Sequence, residues 1–274
     1  MDCPQGDRAV VQALRLGLEP ERIEQMVTPV TIEPETLIIR SASADPVPLL
    51  LCLHPSRLCE FQCAQKLRDL EQLAAHIAFP RGLHAREVDL GGARTVGYAW
   101  YQYTGDNPAF RQSLSAAAAY LDAVLARLRE QLALQDERFY VIGIEDAAML
   151  AIIFALRHAP HCAAVAAIDG QLHPEVIDEF TGAAESLPLL RMRHRIPTPR
   201  GEQAAESEAL RALGLSIDEQ IVHTYEKRWE EEAGMLISWL SQSAGLTVTG
   251  DGDASTAVAV DASSPHGLGG FESS

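Results

Sequence analysis

The sequence predicts an α/β fold, a mostly parallel central sheet with helices on both faces. Three observations predict it. Strand-like and helix-like segments alternate from about residue 48 to 243, the pattern of parallel strands joined by covering helices. Two strand segments, "VPLLLCL" and "FYVIGI", are apolar without alternation, as a strand buried on both faces must be. Hydrophobic residues make up 47% of the 274, enough for a core of that size.

The elements follow in order. Residues 8–27 read as one amphipathic helix or two short ones, with Pro20 opening the second. "ETLIIRSA" and "VPLLLCLHP" are strands separated by "SADP". "FQCAQKLRDLEQLAAHI" has helical spacing, and "HIAFPRGL" begins as a short strand that stops at Pro80. "GARTVGYAWYQY" is β-prone and aromatic. The longest helix starts at "NPAFRQSL"; Leu114, Ala118, Leu121, Leu125, Leu128 and Leu132 recur at threes and fours. "FYVIGI" then reads as strand, "DAAMLAIIFALRH" as helix, and "CAAVAAIDG" and "SLPLLRMRH" as strands. "RGEQAAESEALRALG" is a helix with Gly214 near its end. "QIVHTYE" is a strand and "EEEAGMLISWLSQ" the last helix.

This divides the chain into an N-terminal helical extension (1–29), an α/β domain (30–243) and a tail (244–274). The tail is rich in Gly, Ser, Ala and Asp and has no Lys or Arg. It cannot bury enough apolar area to offset chain entropy, so disorder is expected.

A formal net charge of -16 argues against binding the phosphate backbone of nucleic acids. Lys66 and Lys227 are the only lysines. The N-terminus lacks a basic start followed by an apolar run, and "AMLAIIFAL" is too short to span a bilayer. The expectation is a cytoplasmic protein without membrane or nucleic-acid partners. Cys59 and Cys63 share a helix face near His54, but no CxxC pair accompanies them. Buried free thiols are expected for the five cysteines, with no metal and no cofactor.

Several segments carry a resemblance. "PLLLCLHPSRLCEF", "AFPRG", "GYAWYQY", "YVIGIEDAAMLAIIFAL", "LPLLRMRHRIP" and "YEKRWEEEAGMLISWL" occur in that order between about residues 35 and 243. They resemble the strand and oxyanion loop, Pro-Arg-Gly segment, aromatic stretch, nucleophile elbow, acid segment and final helix of α/β-hydrolases of the phospholipase/carboxylesterase group. The resemblance implies an α/β-hydrolase fold. It also implies a serine at the elbow, an acid after a later strand and a histidine before the last helix.

The catalytic residues depart from that pattern. Glu145 stands at the serine position, within Gly143-Ile144-Glu145-Asp146-Ala147. The acid segment reads Arg191-Met192-Arg193-His194-Arg195, with no acid before Glu202. Trp229 stands at the histidine position. The oxyanion loop reads His54-Pro55-Ser56 in place of His-Gly, and a proline offers no N–H.

Glu145 as nucleophile would place its oxygen one methylene beyond the aspartate that serves dehalogenases and epoxide hydrolases of this superfamily. A charge at a helix N-terminus, or an ion pair with Arg193, is the preferred reading. Asp146 is read as a first-turn helix residue. Arg191, Arg193, His194 and Arg195 would bind an anion or pair with surface acids, with one or two of them facing the pocket. For His54 the resemblance implies a structural role in orienting its loop. His223 reads as a strand histidine, and Trp100 as pocket or core about equally. The pocket set is therefore His54, Ser56, Trp100, Glu145 and Asp146.

The function expected is that of a catalytically impaired relative, acting as a binding or scaffold protein for a small molecule or a protein partner. The alternative is an active ester or thioester hydrolase using Glu145 or Asp146 with His194 or His54. A redox or nucleotide-binding protein would need a Gly-rich phosphate loop, which is missing here.

Overall fold

The computed structural model describes residues 35–248, apart from 44, 91–92, 104, 106–107, 135–136, 174–175, 179–185, 195–199 and 223–227. The N-terminal extension, His223 and residues 249–274 lie outside the described residues.

β1 (Thr36–Ile39) and β2 (Leu49–Leu53) are followed by α1 (Glu60–Lys66), a short 3₁₀ turn and β3 (His76–Pro80). A hairpin of β4 (His84–Leu90) and β5 (Ala93–Ala99) leads to α2 (Pro108–Leu132). β6 (Phe139–Ile144), α3 (Ala147–Arg157), β7 (Cys162–Ile168) and β8 (Leu187–His194) come next. α4 (Arg200–Ala212), β9 (Leu215–Val222) and α5 (Arg228–Gln242) complete the domain. The main sheet has seven strands in the order β1-β3-β2-β6-β7-β8-β9, and β4-β5 form a separate ribbon. β1 is antiparallel to β3, and every other pairing in the main sheet is parallel.

Both faces of the sheet are covered. β2 shows why its sequence lacks alternation. Leu49, Leu51 and Leu53 pack toward α2 and α3, while Leu50 and Cys52 pack toward α1 and α5, and all five are fully buried. Each such leucine contributes about 1.5–3 kcal/mol relative to exposure. α2 buries a stripe at Phe110, Leu114, Ala117, Ala118, Leu121, Val124, Leu125, Leu128 and Leu132, the three-and-four spacing of one helix face. α3 is apolar all round and is buried from Ala147 to Leu156.

Three elements differ from the sequence reading. The helix expected over residues 61–77 ends at Lys66 and continues as a 3₁₀ turn (Arg68–Gln72), while β3 spans His76–Pro80, the strand read in "HIAFPRGL". Pairing of β3 with both β1 and β2 outweighs helical propensity there. β4 went unread because Ala85, Arg86, Glu87 and Asp89 are exposed and leave no apolar rhythm. β9 starts at Leu215, earlier than "QIVHTYE" suggests. At the start of the compositional tail the chain remains packed. Leu246 is buried, its N–H donates to Leu240 O, and Val248 bridges Leu73. Cys52, Cys63 and Cys162 are buried free thiols, and Cys59 is a half-buried one.

Candidate functional site

The chain places β3 on one side of β2 and later places β6 on the other, so strand order reverses between β2 and β6. In open α/β sheets a crevice forms outside the carboxyl ends of the strands at such a reversal. Here those ends carry His54-Pro55-Ser56 after β2 and Glu145-Asp146 after β6.

The turn after β6 is a nucleophile-elbow backbone. Glu145 has φ of 55°, a left-handed conformation that costs a residue with a side chain about 1–2 kcal/mol. Its N–H donates to Ile168 O at 2.7 Å, and its carbonyl accepts the Ala148 N–H at 3.1 Å. Two glycines make room for the turn. A Cβ on Gly143 would lie 2.4 Å from Ala147 O, and one on Gly170 would lie 2.2 Å from the Ala148 Cβ.

Asp146 reaches the loop after β2. Its Oδ1 accepts the Ser56 N–H at 2.8 Å, and its Oδ2 accepts the Ser56 hydroxyl. Its carbonyl accepts the Tyr101 hydroxyl at 2.7 Å. Burial raises the Tyr101 pKa, so this hydroxyl stays a donor. Asp146 was expected as a first-turn helix residue and as a member of the pocket set, and it makes no side-chain cap to α3. Its carboxylate goes to Ser56 instead, a partner 90 positions away that no local pattern reveals.

His54 is fully buried. Its Nε2 accepts the Gly82 N–H at 3.0 Å, which requires the proton on Nδ1; Nδ1–H donates to Pro55 O at 2.9 Å. Burial lowers its pKa below the ordinary value. His54 is thus a neutral ring with both nitrogens engaged by backbone. The Trp100 ring lies against it, tilted 37° with centroids 5.0 Å apart, and donates Nε1–H to His54 O at 2.7 Å. Trp100 is fully buried, so it is core to the loop. The "PRG" segment acts as a brace. Arg81 pairs with Glu60 and Glu35, and its guanidinium lies 4.8 Å from the Tyr98 ring centroid.

The arginines of the acid segment serve a different place. Arg191 is buried against Glu206 and Glu219 and donates to Ser207, and Arg193 pairs with Glu206. Arg191 and Arg193 share one face of β8 and both turn toward α4, as alternation allowed for some of these residues. Glu206 and Ser207 draw them there, and Glu219 sits opposite Arg191 on β9. These three partners were missed; only a cross-strand Arg–Glu register could have signalled Glu219. His194 ends β8, and its side chain lies outside the described set. Trp229, at the expected histidine position, is half-buried against the α1–α5 face, with Lys66 Nζ 4.5 Å from its ring centroid.

An open groove of about 280 Å³ lies elsewhere, between β9 and α5, lined by Asp218, Gln220, Met235, Ser238 and Trp239 among others and by none of the elbow residues. Among the described residues no group of three His, Cys, Asp or Glu side chains is placed to hold a metal. No helix among them is long and apolar enough to cross a membrane.

Strand order, elbow and braced loop together define the α/β-hydrolase fold. No protein-family model and no curated protein matches the chain. Solved structures do resemble it. Esterase PE8 is 19% identical with a TM-score of 0.58, covering 76% of this chain and 99% of that one. A carboxylesterase from Mesorhizobium loti is 17% identical with a TM-score of 0.53, covering 71% and 88%. A phospholipase/carboxylesterase from Dyadobacter fermentans is 15% identical with a TM-score of 0.51, covering 76% and 98%. At these identities the likeness defines the fold, which is the one shared with esterases of the phospholipase/carboxylesterase kind.

Proposed function

We propose that this chain is a non-hydrolytic α/β-hydrolase-fold protein that acts by binding, as a partner or scaffold for a small molecule or another protein. One observation carries the reading: the Asp146 carboxylate takes both the N–H and the hydroxyl of Ser56. Acyl transfer at an elbow needs donors aimed at an oxyanion that forms during the reaction. The Ser56 donors are already engaged by the Asp146 carboxyl oxygens. The candidate base His54 has both nitrogens engaged by backbone, so it is not arranged to take a proton.

The test is hydrolysis of short-chain p-nitrophenyl esters by the wild type and by Glu145→Ser. The expected result is buffer-level rates for both, because a serine at the elbow gains no base and no acid. Robust wild-type turnover overturns the proposal. The second reading is an active ester or thioester hydrolase built on Glu145. The φ of 55° at Glu145 favours it, since strained backbone gathers at working sites. That reading requires turnover that disappears in Glu145→Ala.

A further inference from the structure

We infer that the loop after β2 forms a carboxylate-binding site whose resident ligand is the side chain of Asp146. The inference rests on the non-hydrolytic reading of this crevice, and its test is a binding measurement that ester turnover does not enter.

Three observations support it. The first is the donor pattern. Ser56 presents an N–H to one oxygen and an O–H to the other, so a single residue meets both oxygens of one planar carboxylate. Hydrogen bonds to an ionised acceptor are roughly twice as strong as neutral ones.

The second is the support behind the donors. Leu58 N–H closes a turn onto Pro55 O at 3.0 Å, the His54 ring ties Pro55 to Gly82, and Trp100 holds His54 O. None of these contacts uses the Asp146 side chain. Tyr101 holds Asp146 by its carbonyl, which any residue at that position retains. The donors therefore stay in place when the carboxylate is removed, and a preorganised site binds with less ordering cost.

The third is access. Ser56 and Asp146 are both half-buried, so neither residue is sealed in the core. With the side chain shortened, the vacated volume matches a one- or two-carbon monocarboxylate.

The experiment is a formate titration of Asp146→Ala, which leaves a methyl where the side chain began and lets formate restore the missing group. Wild type and Asp146→Asn are the references. The Asn carbonyl oxygen still accepts the Ser56 N–H, so that variant stays closed. Formate is expected to shift the Ser56 amide resonance saturably in Asp146→Ala and to raise its melting temperature by a few degrees. Chloride at equal ionic strength should do neither, and wild type and Asp146→Asn should not respond. A folded Asp146→Ala whose Ser56 resonance ignores formate overturns the inference, as does an equal response in the wild type. If Asp146→Ala unfolds without anion, recovery of its fold by formate, or of Asp146→Gly by acetate, supports the site. Failure of both to recover overturns it.

Discussion

An alanine at Gly143 tests the elbow most sharply. Its Cβ would lie 2.4 Å from Ala147 O, 2.6 Å from the Ala151 Cβ and 2.8 Å from Ala147 C. Ordinary carbon contacts lie near 3.5–4.0 Å, so α3 would have to lift from β6 by roughly 1 Å. The obstacles are helix backbone and a Cβ, which no rotamer change moves aside. α3 cannot lift freely, because Ala147 to Leu156 are all buried. Overpacking of this kind costs about 1–3 kcal/mol, and backbone contact puts it near the upper end. At about 2–4 °C per kcal/mol, roughly 3 kcal/mol lowers the melting temperature by about 6–12 °C. Gly234 in α5 is the control, because a Cβ there meets nothing within 4 Å. Gly234→Ala should gain about 0.5–1 kcal/mol from helix propensity. The assay is thermal and urea unfolding followed by circular dichroism. A Gly143→Ala loss below about 0.5 kcal/mol, well under the overpacking range, would refute the close packing of strand and helix at this corner.

Glu145→Gly should be more stable than Glu145→Ala by about 1 kcal/mol, since both remove the side chain and only alanine keeps a Cβ at φ 55°; urea unfolding of the pair decides it. Arg191→Ala removes a buried cation from the half-buried Glu206 and the exposed Glu219 and should cost about 1–3 kcal/mol, read from urea midpoints. His54 and His76 both have pKa values lowered chiefly by burial, so below about pH 6.5 the unfolded chain takes up protons that the folded chain refuses. Their contribution is complete above that pH and is lost as the pH falls through and below it. Unfolding free energy measured between about pH 7 and 5 should therefore decline, and less steeply in His54→Gln. A flat profile contradicts this.

The fold was legible where burial on both faces writes itself into the sequence. β2 and β6 have no alternation because helices cover each side, and α2 shows its buried stripe at threes and fours. β4 was not legible, because a two-stranded ribbon open to solvent places Arg86, Glu87 and Asp89 without a pattern. The elbow was legible from Gly143 and Ala147, whose small size the close approach of β6 and α3 demands. What Asp146 does was not. Its partner Ser56 lies 90 residues upstream, and local sequence reports only that Asp suits the start of a helix. The arginines Arg191 and Arg193 were legible as one strand face. Which side that face met depended on where α4 packs, and neither Glu206 nor Ser207 neighbours them in sequence.

On the proposed reading, the elbow keeps its shape without its chemistry. The most direct measurement compares p-nitrophenyl butyrate hydrolysis by purified wild type and Glu145→Ala against buffer alone. Identical rates for all three are predicted. Wild-type turnover above buffer that Glu145→Ala abolishes would contradict the claim and make Glu145 a working nucleophile or base.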